Sequence, residues 1–141
     1  MRDSVQNLVR QQLQKLADAP YGAVITVAAG AANIAGVTIQ VNDFKGDPIA
    51  YPVNLVVFLS KTTYGLTYTD HVADTITAST GVIWQELVAA CAVLVRTDAT
   101  GLAVLVVTDT HKTGQYVVVL DPISQKVLGY GTITATTDYG A

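Results

Sequence analysis

At 141 residues the chain is one domain, or one domain with an appendage, long enough to bury a core without disulfide or metal staples. Only 13% of residues are charged, against about 25% in an average domain, and so uncharged a surface is hard to keep soluble unless partners cover part of it. The net charge of −3 and the scatter of the eight Lys and Arg leave no basic stripe for phosphates, which argues against nucleic-acid binding, and a single cysteine excludes an intrachain disulfide.

In chain order, the opening MRDSVQNLVRQQLQ lacks a basic-then-apolar signal pattern. Residues 4–17 are the one helix candidate. Ser4 can cap, and Val5, Leu8, Val9, Leu13 and Leu16 share one face, with Gln, Asn, Arg10 and Lys15 on the other. Pro20 stops the helix. So short a helix is marginal alone, so it docks either on its own domain or on another subunit.

Ala19–Asn42 carries no charge over 24 residues, but its glycines, Asn33, Thr38 and Gln40, and its flanking Asp18 and Asp43, are wrong for a membrane span. Ala23–Ala28 can form a strand, and the Ala-Gly run after it reads as a flexible connector. From Asn33 the chain is plainly β. Val37, Ile39 and Val41 alternate with Thr38, Gln40 and Asn42, the pattern of a half-buried strand. Asp43–Pro48 is a turn. Val53–Ser60 is apolar on both faces, as are Leu102–Val107 and Val117–Leu120, so these strands are expected to be covered twice.

Lys61–Thr80 reads as a long Thr- and Tyr-rich loop or a pair of short edge strands. Gly81–Val95 reads as one strand-like run, with Trp84 as a core or interface anchor. Thr97–Leu120 is turn, strand, turn, strand, with Asp98, Thr100 and Gly101 in the first turn and Asp109–Gly114 in the second. Asp121–Lys126 is a further tight turn. Val127–Thr136 is the last strand, and its Gly129 and Gly131 mark a bulge or a close backbone approach. Thr137–Ala141 is expected to be a loose tail. Seven to nine strands without βαβ alternation predict a mostly β chain, an antiparallel sandwich or barrel with a helix in front.

Three segments carry a resemblance. Val41-Asn-Asp43-Phe-Lys-Gly46-Asp-Pro48 ahead of a strand, Thr97-Asp98-Ala-Thr-Gly101-Leu-Ala103-Val104, and Thr113-Gly114-Gln-Tyr116-Val-Val118 resemble, in order and spacing, the signatures of bacterial immunoglobulin-like domains of the invasin type. The match covers about residues 35–120. It implies an immunoglobulin-like antiparallel β-sandwich over 33–141, preceded by a helix and extended arm over 1–32. It also implies that Tyr116 buries its ring and bonds its hydroxyl to the backbone. The long segment Lys61–Arg96 and the extra turn and strand after Leu120 depart from the adhesin modules. With its helix and this ending, the chain looks more like small virion proteins of tailed bacteriophages, especially those that decorate or cement the head.

The residues hold little chemistry. His71 and His111 stand 40 residues apart, each near Asp (Asp70 and Asp74; Asp109), and a zinc site wants three or four converging ligands. Asp43, Asp47, Asp98 and Asp109 could gather calcium, but Asp is also the ordinary turn residue. Glu86 is the only Glu, no two Asp stand out as buried, and there is neither a nucleophile elbow nor a phosphate-cradling loop. Cys91 lies in an apolar run that would raise its pKa. The expectation is therefore no catalytic residue, no cofactor and no metal.

The residues expected to bind partners are Val5, Leu8, Val9, Leu13 and Leu16 on the helix, and Tyr64 and Tyr68 in the Thr-rich loop. Tyr21, Tyr51, Tyr130 and Tyr139 are taken as further surface aromatics. The resemblance implies a non-enzymatic structural protein on a capsid surface, in many copies or as a homo-oligomer. Its partners would be the major capsid protein or other virion proteins. A glycan- or cell-surface-binding module of a tail or an adhesin is the alternative.

Overall fold

The computed structural model describes residues 4–11, 19–61 and 73–141. Leu13, Leu16, Tyr64, Tyr68 and His71 therefore lie outside the described residues. The helix α1 covers residues 4–11. The strands are β1 (Gly22–Ala29), β2 (Ile34–Asn42), β3 (Asn54–Ser60), β4 (Thr75–Thr80), β5 (Val82–Val88), β6 (Ala92–Arg96), β7 (Leu102–Thr108), β8 (Gln115–Leu120) and β9 (Val127–Ile133).

The strands form two antiparallel sheets, ordered β1-β2-β7-β4 and β5-β6-β3-β8-β9, packed as a sandwich. Seven of them, β1 to β4 and β7 to β9, reproduce the immunoglobulin order of four strands facing three. The hairpin β5–β6 is inserted between the fourth and fifth of these and widens the second sheet beyond β3. It accounts for much of the length of Lys61–Arg96.

Alternation builds the core. Val37, Ile39 and Val41 of β2 face Leu55, Val57 and Leu59 of β3, with Leu105 and Val107 of β7 and Val117 and Val119 of β8 beside them, all buried. The double covering expected of β3 and β8 is present. Phe58 and Val118, on the outer face of their sheet, are 5% and 0% exposed and cluster with Ala92. The outer residues of β7, Leu102, Val104 and Val106, are only half-buried.

The two sides of the sandwich differ. On one, β1 lies against β9 at glycines. A Cβ on Gly129 would stand 2.3 Å from the Ala23 carbonyl oxygen, and one on Gly131 would stand 2.5 Å from Ile25 Cγ2. Gly129 also adjoins a bulge in the β8–β9 register, so both readings of a strand glycine hold here. On the other side β4 and β5 are edge strands, joined through Gly81 at φ +83°.

Four expectations are corrected. β1 pairs with β2 along its whole length, so the sandwich begins at Gly22, and residues 22–32 are not an arm. The Ala-Gly connector is a tight turn, with Asn33 at φ +62°. Gly81–Val95 is two strands, folded back at Ala89–Cys91 with Ala90 at φ +50°. The tail is tied down. Gly140 bridges Ala32, its N–H donates to the Ile34 carbonyl (3.0 Å), and its own carbonyl accepts from Asn33 N–H (2.9 Å).

Candidate partner-binding surfaces

On α1 the spacing that puts Val5, Leu8 and Val9 on one face is the spacing of a helix that buries a stripe. Here the stripe is bare. The three side chains are 58%, 57% and 52% exposed, and every residue of α1 is exposed. Of the two docking modes left open by the sequence, burial against the home domain is therefore not seen for residues 4–11.

A second apolar surface lies on β5, where the sequence singled out only Trp84. Trp84 is 58% exposed, so it is no core residue, and Val82, Leu87 and Val88 are exposed beside it. Two register shifts explain this. The pairing with β6 slips between Ile83 and Gln85 and again between Glu86 and Val88, leaving Trp84 and Leu87 as unpaired bulge residues. The edge position supplies the rest, since no further strand among the described residues covers β5. The strand-like run around Val82–Val88 was visible in the sequence, but bulges carry no sequence mark of their own.

A third surface gathers where β1 begins and the β2–β3 loop turns. Tyr21 and Phe44 are 58% and 55% exposed and line a shallow depression with Val24 and Leu128. Lys126 Nζ sits 4.1 Å from the Tyr21 ring centroid.

The titratable residues mostly serve turns. Asp43 Oδ1 accepts from Lys45 N–H (2.9 Å) and Asp47 N–H (3.1 Å). Asp98 Oδ1 accepts from the Thr100 hydroxyl (2.6 Å) and from the N–H groups of Thr100 (2.8 Å) and Leu102 (3.1 Å). These bonds, the Thr100 hydroxyl first, hold the Asp98 carboxyl below its ordinary value. Asp43 and Asp98 lie at the end of the sandwich opposite Asp109, so the calcium set Asp43, Asp47, Asp98 and Asp109 does not converge.

A different set does. Asp74, Asp109 and His111 each offer a ligand atom, all within 4.8 Å of one another. Asp109 is fully buried, whereas Asp74 is exposed. Its carboxylate accepts from His111 N–H (2.9 Å) and Thr113 N–H (3.1 Å), and His111 Nδ1 stands 3.7 Å from it. The Asp74 carboxylate accepts from Thr110 N–H (2.9 Å). The set thus clamps the β7–β8 turn, each carboxylate accepting backbone N–H groups of that turn.

The corner tyrosine is also displaced. Tyr116 points outward into an edge-on contact with Tyr130, ring centroids 6.3 Å apart. Tyr139, expected at the surface, is 3% exposed instead, and its hydroxyl donates to the Thr113 carbonyl at 2.8 Å. Burial, more than the nearby carboxylates of Asp109 and Asp138, pushes its pKa up to about 12. Cys91 is buried, with its thiol 3.7 Å from the Leu59 carbonyl oxygen.

The described residues thus pair apolar surfaces suited to protein contact with carboxylates committed to turns. No protein-family model matches the chain, and no curated protein matches it.

Proposed function

We propose that this chain is a non-enzymatic structural protein that decorates or cements the capsid surface of a tailed bacteriophage in many copies. Its partners are the major capsid protein or other virion proteins. The observation that carries the reading is the bare stripe of Val5, Leu8 and Val9 on a helix outside an otherwise well-packed sandwich. An amphipathic helix gains most of its stability from burying such a stripe, so α1 is built to be finished by another protein. The low charge and the exposed β5 face support the same reading, because contiguous apolar surface marks interaction. The resemblance of Val41–Pro48, Thr97–Val104 and Thr113–Val118 to immunoglobulin-like signatures, with the helix ahead of them, supplies the phage setting.

The test is mass spectrometry of particles purified from the phage or lysogen that encodes the chain, with antibody labelling under the electron microscope. The reading expects the chain at many copies per particle, with label on the head. Particles that lack it, or that carry it only at the tail tip, overturn the reading.

A further inference from the structure

We infer that α1 of one copy docks on the β5 face of a second copy. The inference rests on the assembly reading in taking the α1 stripe as a docking element, and it names the partner. Both surfaces are apolar and exposed, Val5, Leu8 and Val9 on one and Val82, Trp84, Leu87 and Val88 on the other. Their charges are complementary. Arg10 is the only charged residue of α1, and Glu86 is the only charged residue of β5. Both are exposed. The strand face is long enough to take the helix, since seven residues of strand run about 23 Å and eight of helix about 12 Å.

A helix suits β5 better than an added strand does. The two bulges break the row of N–H and C=O groups that a new strand would need, while leaving Trp84 and Leu87 outside the ladder. Trp at the centre of such a patch is the residue type that most often anchors an interface.

The topology favours a second copy over the chain's own β5. The segment from α1 enters the sandwich at β1, which packs against β9. β5 is at the far edge of the five-stranded sheet, four strand spacings away, or about 19 Å. The strand through which the chain enters the sandwich and the acceptor strand therefore lie on opposite flanks. A contact between unlike surfaces is head-to-tail and repeats into rings or rows, as a many-copy surface layer requires.

The test uses two full-length variants and light scattering. Leu8→Glu with Val9→Glu removes the donor stripe and sets acid against Glu86. Trp84→Thr with Leu87→Lys removes the acceptor and sets a cation against Arg10. Far-UV circular dichroism checks that each keeps its fold. The wild type is expected to rise above its 14.8 kDa monomer mass with concentration, and each variant alone to remain monomeric. An equimolar mixture retains one intact donor and one intact acceptor, so it is expected to reach twice the monomer mass and stop there.

A wild type that stays monomeric, variants that keep the wild-type mass, or a mixture that stays monomeric each overturn the inference. Should a variant misfold, full-length Val9→Cys and Leu87→Cys chains are mixed and oxidised. Mixed disulfide dimers forming several-fold faster than either self-pair support the contact, and equal rates overturn it. Particles that contain the chain while the mixture stays monomeric overturn this contact and leave the capsid reading standing. A mixed dimer from a chain missing in particles does the reverse.

Discussion

Tyr139 sets the local chemistry at the end of the sandwich where the tail docks. Its hydroxyl donates a hydrogen bond to the Thr113 carbonyl from a buried position, so the fold holds the neutral phenol. Below pH 10 the phenol is neutral folded and unfolded alike, and its contribution is complete. Above pH 10 the unfolded chain ionises first, and the contribution is lost as pH rises toward the folded value of about 12. Tyr139→Phe is therefore expected to cost about 1 kcal/mol near neutrality, the worth of one buried hydrogen bond. It should also flatten the fall in stability between pH 10 and 12, as read by urea unfolding of both proteins across that range. Wild type and variant losing stability in parallel there would refute the assignment. At the other end, Thr97 plays an equivalent part, its hydroxyl accepting Val53 N–H at 2.9 Å. Beside it Gly101, at φ +72°, sits where a Cβ would stand 2.8 Å from the Ile49 carbonyl oxygen.

Between elements, the closest fit is that of β1 on β9. Two glycines let the strand backbones meet, and a methyl group at Gly129 would collide with the backbone at Ala23, not with a side chain that could swing away. Gly129→Ala is expected to destabilise by about 2 kcal/mol or more, the scale of overpacking a filled space. The shift of the urea midpoint measures it, and an unchanged midpoint would mean that the sheets do not close there. This closure was half legible. Gly129 and Gly131 in a strand announced a bulge or a close approach, but the partner strand cannot be read from them. The hairpin β5–β6 was not legible, because Leu87–Val95 is apolar without a Gly, Pro or Asn at the bend. The chain turns there on Ala90 at φ +50°, where the Glu86 carboxylate accepts Ala90 N–H at 3.2 Å.

For the molecule as a whole, stability and interaction are carried by different strands. Leu105→Ala, in the fully buried centre, is expected to cost 2–5 kcal/mol. Trp84→Thr, on the exposed edge, should cost no more than about 1 kcal/mol, measured by the same denaturation series. Comparable losses would make β5 part of the core. The sequence alone determined the β class, the positions of most strands, the Asp-and-Gly turns and the apolar stripe of α1. Each of these depends on residues close together in the chain, through side-chain period, hydrogen bonds between near neighbours and the freedom of glycine. Only the tertiary structure decided which strands became edges, that Trp84 faces outward, that Asp74, Asp109 and His111 meet, and that Tyr139 and not Tyr116 takes the corner. Those outcomes depend on pairings between residues far apart in the chain, and a bulge of one residue is enough to turn a side chain from one face to the other.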